Sequence, residues 1–214
     1  MSTGVALRLA LRDFYGKSWR LVPVNAALGA VLVAVGVVAF ATRAALVLIV
    51  LAGPFAAALA HSAVKLARTG NLRLSDAVEG FRLHWQRGLA LGAAGAALVA
   101  LALVAMRFYS RVSLGWPLVF LTLYLLVLLG IYQIVLWTLA IADPERPLRS
   151  VARDAAALGA ARPGSTLLLG LALLLVNLAA LAAAVMPFLT LTIAYSFLAA
   201  AHFALPHPTS EEPS

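Results

Sequence analysis

The chain has no cysteine and very little charge: of its 214 residues only 11% are Asp, Glu, Lys or Arg. Without a thiol there can be no disulfide, no thiolate metal site and no cysteine nucleophile. The scarcity of charge excludes more. A water-soluble domain carries about 25% charged and about 45–50% apolar residues, whereas this chain is 64% hydrophobic with a mean hydropathy of +1.00. Charge is missing above all from the longest apolar stretches. Proton pumps, voltage sensors and many ion pathways place ionisable groups in the membrane, so that absence speaks against those classes. His-Glu-x-x-His, Gly-x-Ser-x-Gly and phosphate-loop motifs are absent too. No set of acids, bases and nucleophiles remains for catalysis; we expect no enzyme, no cofactor and no metal.

What is present is a series of apolar intervals fenced by single charges. They hold 22 residues between Arg20 and Arg43, 21 to Lys65, 19 from Arg87 to Arg107, 31 from Arg111 to Asp143 and 48 from Arg162 to Glu211. A helix crossing a hydrocarbon layer needs roughly 20 apolar residues. The last interval would reach roughly 72 Å as one helix at about 1.5 Å per residue, so it must break, and Met186–Pro187 in "AVMPFLT" offers the break. The sequence thus predicts an all-α polytopic membrane protein, a single domain of six crossings at about 21–42, 44–64, 88–106, 117–142, 165–186 and 188–205. Residues 206–214 form an acidic tail expected to be disordered. "AFATRA" resembles a signal-peptide cleavage site, but the apolar run before it is longer than the usual 7–15 residues, so an uncleaved first helix is expected.

Lys and Arg fix the expected orientation. Thirteen fall on the side holding the N-terminus and the second and fourth loops, and three, Arg43, Arg107 and Arg111, fall on the other. By the positive-inside rule both termini are expected to be cytoplasmic. The net charge of +8 is spread over short segments between apolar runs. Its expected partners are therefore the bilayer and its anionic headgroups, not nucleic acid.

Three basic segments precede odd-numbered crossings. "LRLALRDFYGKSWR" repeats Leu7, Leu11 and Phe14; "SDAVEGFRLHWQRG" repeats Val78, Phe81 and Trp85 behind a helix start at Asp76 and Glu79; "LRSVARDAAALGAARPG" repeats Val151, Ala155 and Leu158. Each is read as a short amphipathic cytoplasmic helix. Such helices lie in the headgroup layer or cap the bundle ends. "FYGKSWRL" echoes "FRLHWQRGL", which hints at three repeated hairpins.

Gly53–Pro54, in the middle of "LAGPFAAAL", sits where proline removes the bond to the Val50 carbonyl. The step is expected to be a kinked packing joint, as is Pro187; a hinge for alternating access would use the same residues. Gly88, Gly92 and Ala96 form a small-xxx-small face. Among uncharged polar residues, Asn25, His61 and His202 share a depth near the cytoplasmic ends of the first, second and sixth crossings. They form a candidate polar cluster for a ligand, or three separate contacts near the interface. Asn177 and Gln133 lie deeper and are expected to bond across helices or to backbone; Thr190, Thr192 and Ser196 are expected to bond back to their own helix. Trp19, Trp85, Trp116 and Trp137 suit the interfaces.

The run "GPFAAALAHSAVKLARTGNLRLSDAVEGFRLHWQRGLALG" from Gly53 to Gly92 resembles the YesL-like family of bacterial six-helix membrane proteins, a domain of unknown function. A proline with small residues, an Ala-rich helix end, a basic turn and an aromatic–basic re-entry carry the likeness, with Asn25 after "LVPV". The resemblance implies no catalytic residue, and it implies a link to carbohydrate uptake. The expected role is that of an accessory in a solute-uptake transporter complex. Two alternatives stay open. "DAAALG" at 154–159 is similar to the permease loop that docks a cytoplasmic ATPase, and the basic segments alone would suit a membrane scaffold.

Overall fold

A computed structural model describes residues 3–183 and 191–205. Its elements are α1 (Thr3–Ala41), a 3-10 segment (Arg43–Leu51), α2 (Ala52–Thr69), α3 (Leu74–Tyr109), α4 (Trp116–Ala142), α5 (Leu148–Ala161), α6 (Pro163–Ala183) and α7 (Ile193–Ala204). No strand occurs among the described residues. Five stretches are long and apolar enough to cross a membrane: Trp19–Phe40, Val47–Thr69, Leu74–Tyr109, Trp116–Ala142 and Pro163–Ala182; α7 is a shorter apolar helix. The chain is an all-α polytopic membrane bundle. Pro187 and the tail 206–214 lie outside the described residues.

Two of the three basic segments are not short separate helices. The N-terminal segment runs into the first crossing as one 39-residue helix, α1, and the second into the third crossing as the 36-residue α3. At about 1.5 Å per residue these reach roughly 58 and 54 Å, well beyond a hydrocarbon layer of about 30 Å. Near lipid an unbroken backbone ladder satisfies every N–H and C=O, and α1 continues even through Pro23. Only α5 stands alone, parted from α6 by Arg162, with Pro163 opening the next helix.

The Gly53–Pro54 step also differs from expectation. It does not kink a continuous α-helix, because the crossing is composite. The 3-10 segment hands over to α-geometry at Ala52, whose N–H donates to the Ile49 carbonyl, and Pro54 is the third residue of α2. Proline is tolerated in the first turn, where its missing N–H costs little. Glycine earns its place by close approach. A Cβ built on Gly53 would strike the Gly88 carbonyl oxygen, and one on Gly88 would lie 2.6 Å from the Gly53 carbonyl oxygen. Gly92 continues the contact, with its Cβ position 3.2 Å from the Gly53 Cα. Here α2 and α3 touch backbone to backbone, as small residues permit in membranes.

Inter-helix bonds gather the basic segments at one end of the bundle. Thr3 Oγ1 donates to the Ser165 carbonyl at 2.9 Å, Arg20 to the Leu72 carbonyl, and Arg68 to the Ala142 carbonyl at 3.2 Å. The start of α1, the α2–α3 turn, the end of α4 and the start of α6 therefore lie together, and His202 near the end of α7 joins them through Asp13.

Packing faces are reversed relative to a soluble helix. At the start of α3 the buried line is Asp76, Gly80, His84, Gly88 and Leu91. The apolar stripe read from the sequence points outward: Val78, Phe81 and Trp85 are all exposed. On α1 the buried line is likewise Thr3, Ala6, Ala10, Leu21, Asn25 and Leu28, while Leu11 is exposed. Lipid solvates large apolar side chains as well as a protein interior does, so small and polar residues take the helix–helix contacts. On α5 the expected face does turn inward, with Val151 and Ala155 buried. Trp19, Trp85 and Trp116 are exposed, but Trp137 is a core residue, 6.3 Å edge-on to Phe197.

Candidate functional site

The polar side chains concentrate where α1, α2, α3 and α7 meet at the basic end. α2 and α3 come close because of Gly53 and Gly88, and about two turns away Gly80 makes room for the His61 ring: a Cβ on Gly80 would lie 2.7 Å from the His61 Cβ. This brings His61 against His84. Their rings are 5.2 Å apart, and His61 Nδ1 lies 3.2 Å from His84 Nε2. Two imidazole nitrogens at that distance share one proton, so one ring donates, and the accepting ring is neutral. The outer nitrogens, His61 Nε2 and His84 Nδ1, are buried without a hydrogen-bond partner.

One turn further along α2, Lys65 Nζ sits 2.9 Å from Asp76 Oδ1 and 3.3 Å from Glu79 Oε2. The other Asp76 oxygen accepts the Arg73 N–H at 2.7 Å, closing the first turn of α3. Asp76 thus ties a helix start to the neighbouring helix. Arg87 does the same for a helix end. It donates to the Ala140 and Asp143 carbonyls at 3.0 Å each and to the Arg146 carbonyl. The Ala140 and Asp143 carbonyls are acceptors that the end of a helix leaves unsatisfied, where a cation is favoured.

α1 and α7 are joined at the same end by Asp13 Oδ2 and His202 Nε2, 3.0 Å apart across 189 residues of sequence. Deeper in the bundle, Asn177 Nδ2 donates to Ser196 Oγ at 2.9 Å and to its own helix at the Leu173 carbonyl. Ser196 Oγ returns a bond to the Thr192 carbonyl at 2.8 Å. The Gln133 carbonyl oxygen is buried without a partner, and Thr190 lies outside the described residues.

The three candidate residues therefore separate. Their helices pack on one another, but His61 turns to His84, His202 turns to Asp13, and Asn25 meets neither. Asn25 is fully buried, with Oδ1 and Nδ2 both unpaired. A buried amide left in that state costs about 1–3 kcal/mol. His84, Asp13 and Arg87 went unrecognised in the sequence. A four-residue period could have found His84, since Asp76, Gly80, His84 and Gly88 follow one another at that spacing along the buried line of α3. Nothing local could have found Asp13 or Arg87, whose partners are remote in sequence.

Chemically, the arrangement clasps helices. Most of these polar contacts join two elements, and among the described residues no three His, Asp or Glu gather to hold a metal ion. Comparisons with protein-family models, curated proteins and solved structures give no match to this chain.

Proposed function

We propose that this is a non-enzymatic protein of a bacterial cytoplasmic membrane, with both termini in the cytoplasm, that serves as an accessory to a solute-uptake complex. The observation that carries the reading is the division of labour between its side chains. Polar groups at the basic end hold helix to helix, while the apolar surfaces of α3, α4 and α6 stay turned outward. A body that is tied at one end and laterally apolar suits contact with another membrane protein. The cytoplasmic orientation is supported by the thirteen-to-three distribution of Lys and Arg. Carbohydrate as the solute rests on the YesL-like resemblance of Gly53–Gly92 alone.

Crosslinking in native membranes, followed by identification of the attached protein, tests the role. A transporter subunit should be captured, and the purified chain in proteoliposomes should move no solute. Solute flux through the chain alone would overturn the accessory role. One feature favours a permease subunit as the second reading: α5 is a separate helix on which Asp154, Ala156 and Ala157 are exposed, within the stretch that is similar to an ATPase-docking loop. Capture of an ATPase that is lost on altering Ala156 and Ala157 would select that reading.

A further inference from the structure

The turn between α2 and α3 opens on a cleft of about 250 Å³ lined by Lys65, Thr69, Asn71, Leu72, Arg73 and Asp76. Its charges are unevenly used. Both oxygens of Asp76 are committed, one to Lys65 Nζ and one to the Arg73 N–H, and Glu79 also sits on Lys65. Both carboxylates of this corner therefore serve one lysine, whose ammonium keeps a third proton to donate.

The arginines of this corner form no ion pair among the described residues. Arg73 is exposed, and its charge acts on the Asp76 carboxylate only at longer range. Arg20 borders the cleft from α1, donating to the carbonyl of the lining residue Leu72 and lying 3.4 Å from Asn71 Oδ1, and among the described residues it pairs with no carboxylate. Its guanidinium also lies 4.6 Å from the centroid of the Trp19 ring, and Trp19 is 62% exposed. An exposed tryptophan beside an arginine at the end of an apolar span marks the headgroup level of a bilayer. The cleft thus combines surplus cations, planar donor forks suited to phosphate and the depth at which lipid phosphates lie.

We propose that this cleft binds the phosphate of an anionic membrane lipid, held by Arg73, Arg20 and the remaining Lys65 proton. The proposal does not depend on the uptake role and would hold for any function of the bundle. It distinguishes one built site from the general attraction of a basic surface to headgroups.

The test uses the full chain in nanodiscs or neutral detergent, with lipid retention read by native mass spectrometry. Phosphatidylglycerol should be retained over phosphatidylcholine, and Arg73→Gln should weaken that retention about fivefold, the scale of one basic residue at an anionic surface. Arg73→Lys should fall between the two, keeping the charge but losing the fork. Arg82→Gln, an exposed change on α3 outside the cleft, should leave retention unchanged. Soluble glycerol phosphate at millimolar concentration should not displace the lipid; displacement would show a site for free phosphate and overturn the lipid assignment. Equal retention of the two lipids, or equal loss in the Arg73 and Arg82 variants, would overturn the site itself.

Discussion

The two ends of this bundle are built differently. At the basic end α2 is largely enclosed: 56% of the most apolar 18-residue stretch within Val47–Thr69 is buried, and bonds from Arg20, Lys65, Arg68, Arg87, His61 and Asp13 join it and its neighbours to each other. At the far end the second half of α3 and the first half of α4 present Leu101, Val104, Phe108, Phe120 and Leu123 outward, and only 6% of the corresponding stretch of either helix is buried. Both regions are strongly apolar, so hydrophobicity does not separate them. Small residues and polar partners do. Where glycine and alanine let backbones meet, side-chain hydrogen bonds find partners; where leucine and valine crowd the helix, it stands off from its neighbours and faces lipid.

The largest disruption should come from filling the closest contact. Gly88→Leu would push side-chain atoms into the Gly53 backbone, and overpacking of this kind costs about 1–3 kcal/mol. Thermal unfolding in detergent should show the loss, and it should weaken the His61–His84 contact one turn away. Next in size, Arg87→Ala removes two hydrogen bonds from the end of α4 and a third from the turn beyond it. It should cost about 2 kcal/mol, the scale of buried acceptors left unsatisfied, again read as a lowered midpoint. Asn25→Leu should move the other way. It replaces a fully buried amide with no partner by an apolar group, raising stability by roughly 1 kcal/mol. A loss of stability there would show that Asn25 has a partner within the folded chain. The smallest effect belongs to the far end: Phe120→Ala should stay within about 0.5 kcal/mol, as exposed substitutions usually do. A large effect at Phe120 would erase the contrast between the ends.

How much was legible in the sequence follows the same division. Apolar length and charge spacing are local, and they marked α4 almost to the residue, with 117–142 expected and Trp116–Ala142 observed. Helix continuity was not legible, because an amphipathic basic segment and the apolar crossing after it share one backbone ladder and no residue between them compels a break. The facing of the basic segments stayed open in the sequence, since an apolar stripe suits either the headgroup layer or a cap on the bundle end. On α3 Val78, Phe81 and Trp85 turn outward, whereas on α1 Leu7 and Phe14 pack partly buried against the core. Gly53 was rightly singled out as a place of close packing, yet the partner at Gly88 and the change of helix type at Ala52 depend on tertiary contact. For Asn25, His61 and His202 the shared depth was visible, but the direction of each side chain around its helix was not.

The proposed orientation puts the basic end and the far end on opposite sides of a membrane, with the basic end cytoplasmic. Because the chain has no cysteine of its own, single-cysteine labelling tests this directly. Ser75→Cys, exposed at the start of α3, and Ser113→Cys, exposed in the turn before α4, would be treated with a membrane-impermeant maleimide in intact bacterial cells whose outer membrane has been made permeable to it. The account predicts labelling at position 113 and protection at position 75 until the inner membrane is opened. Labelling of both positions in intact cells, or of position 75 alone, would contradict it.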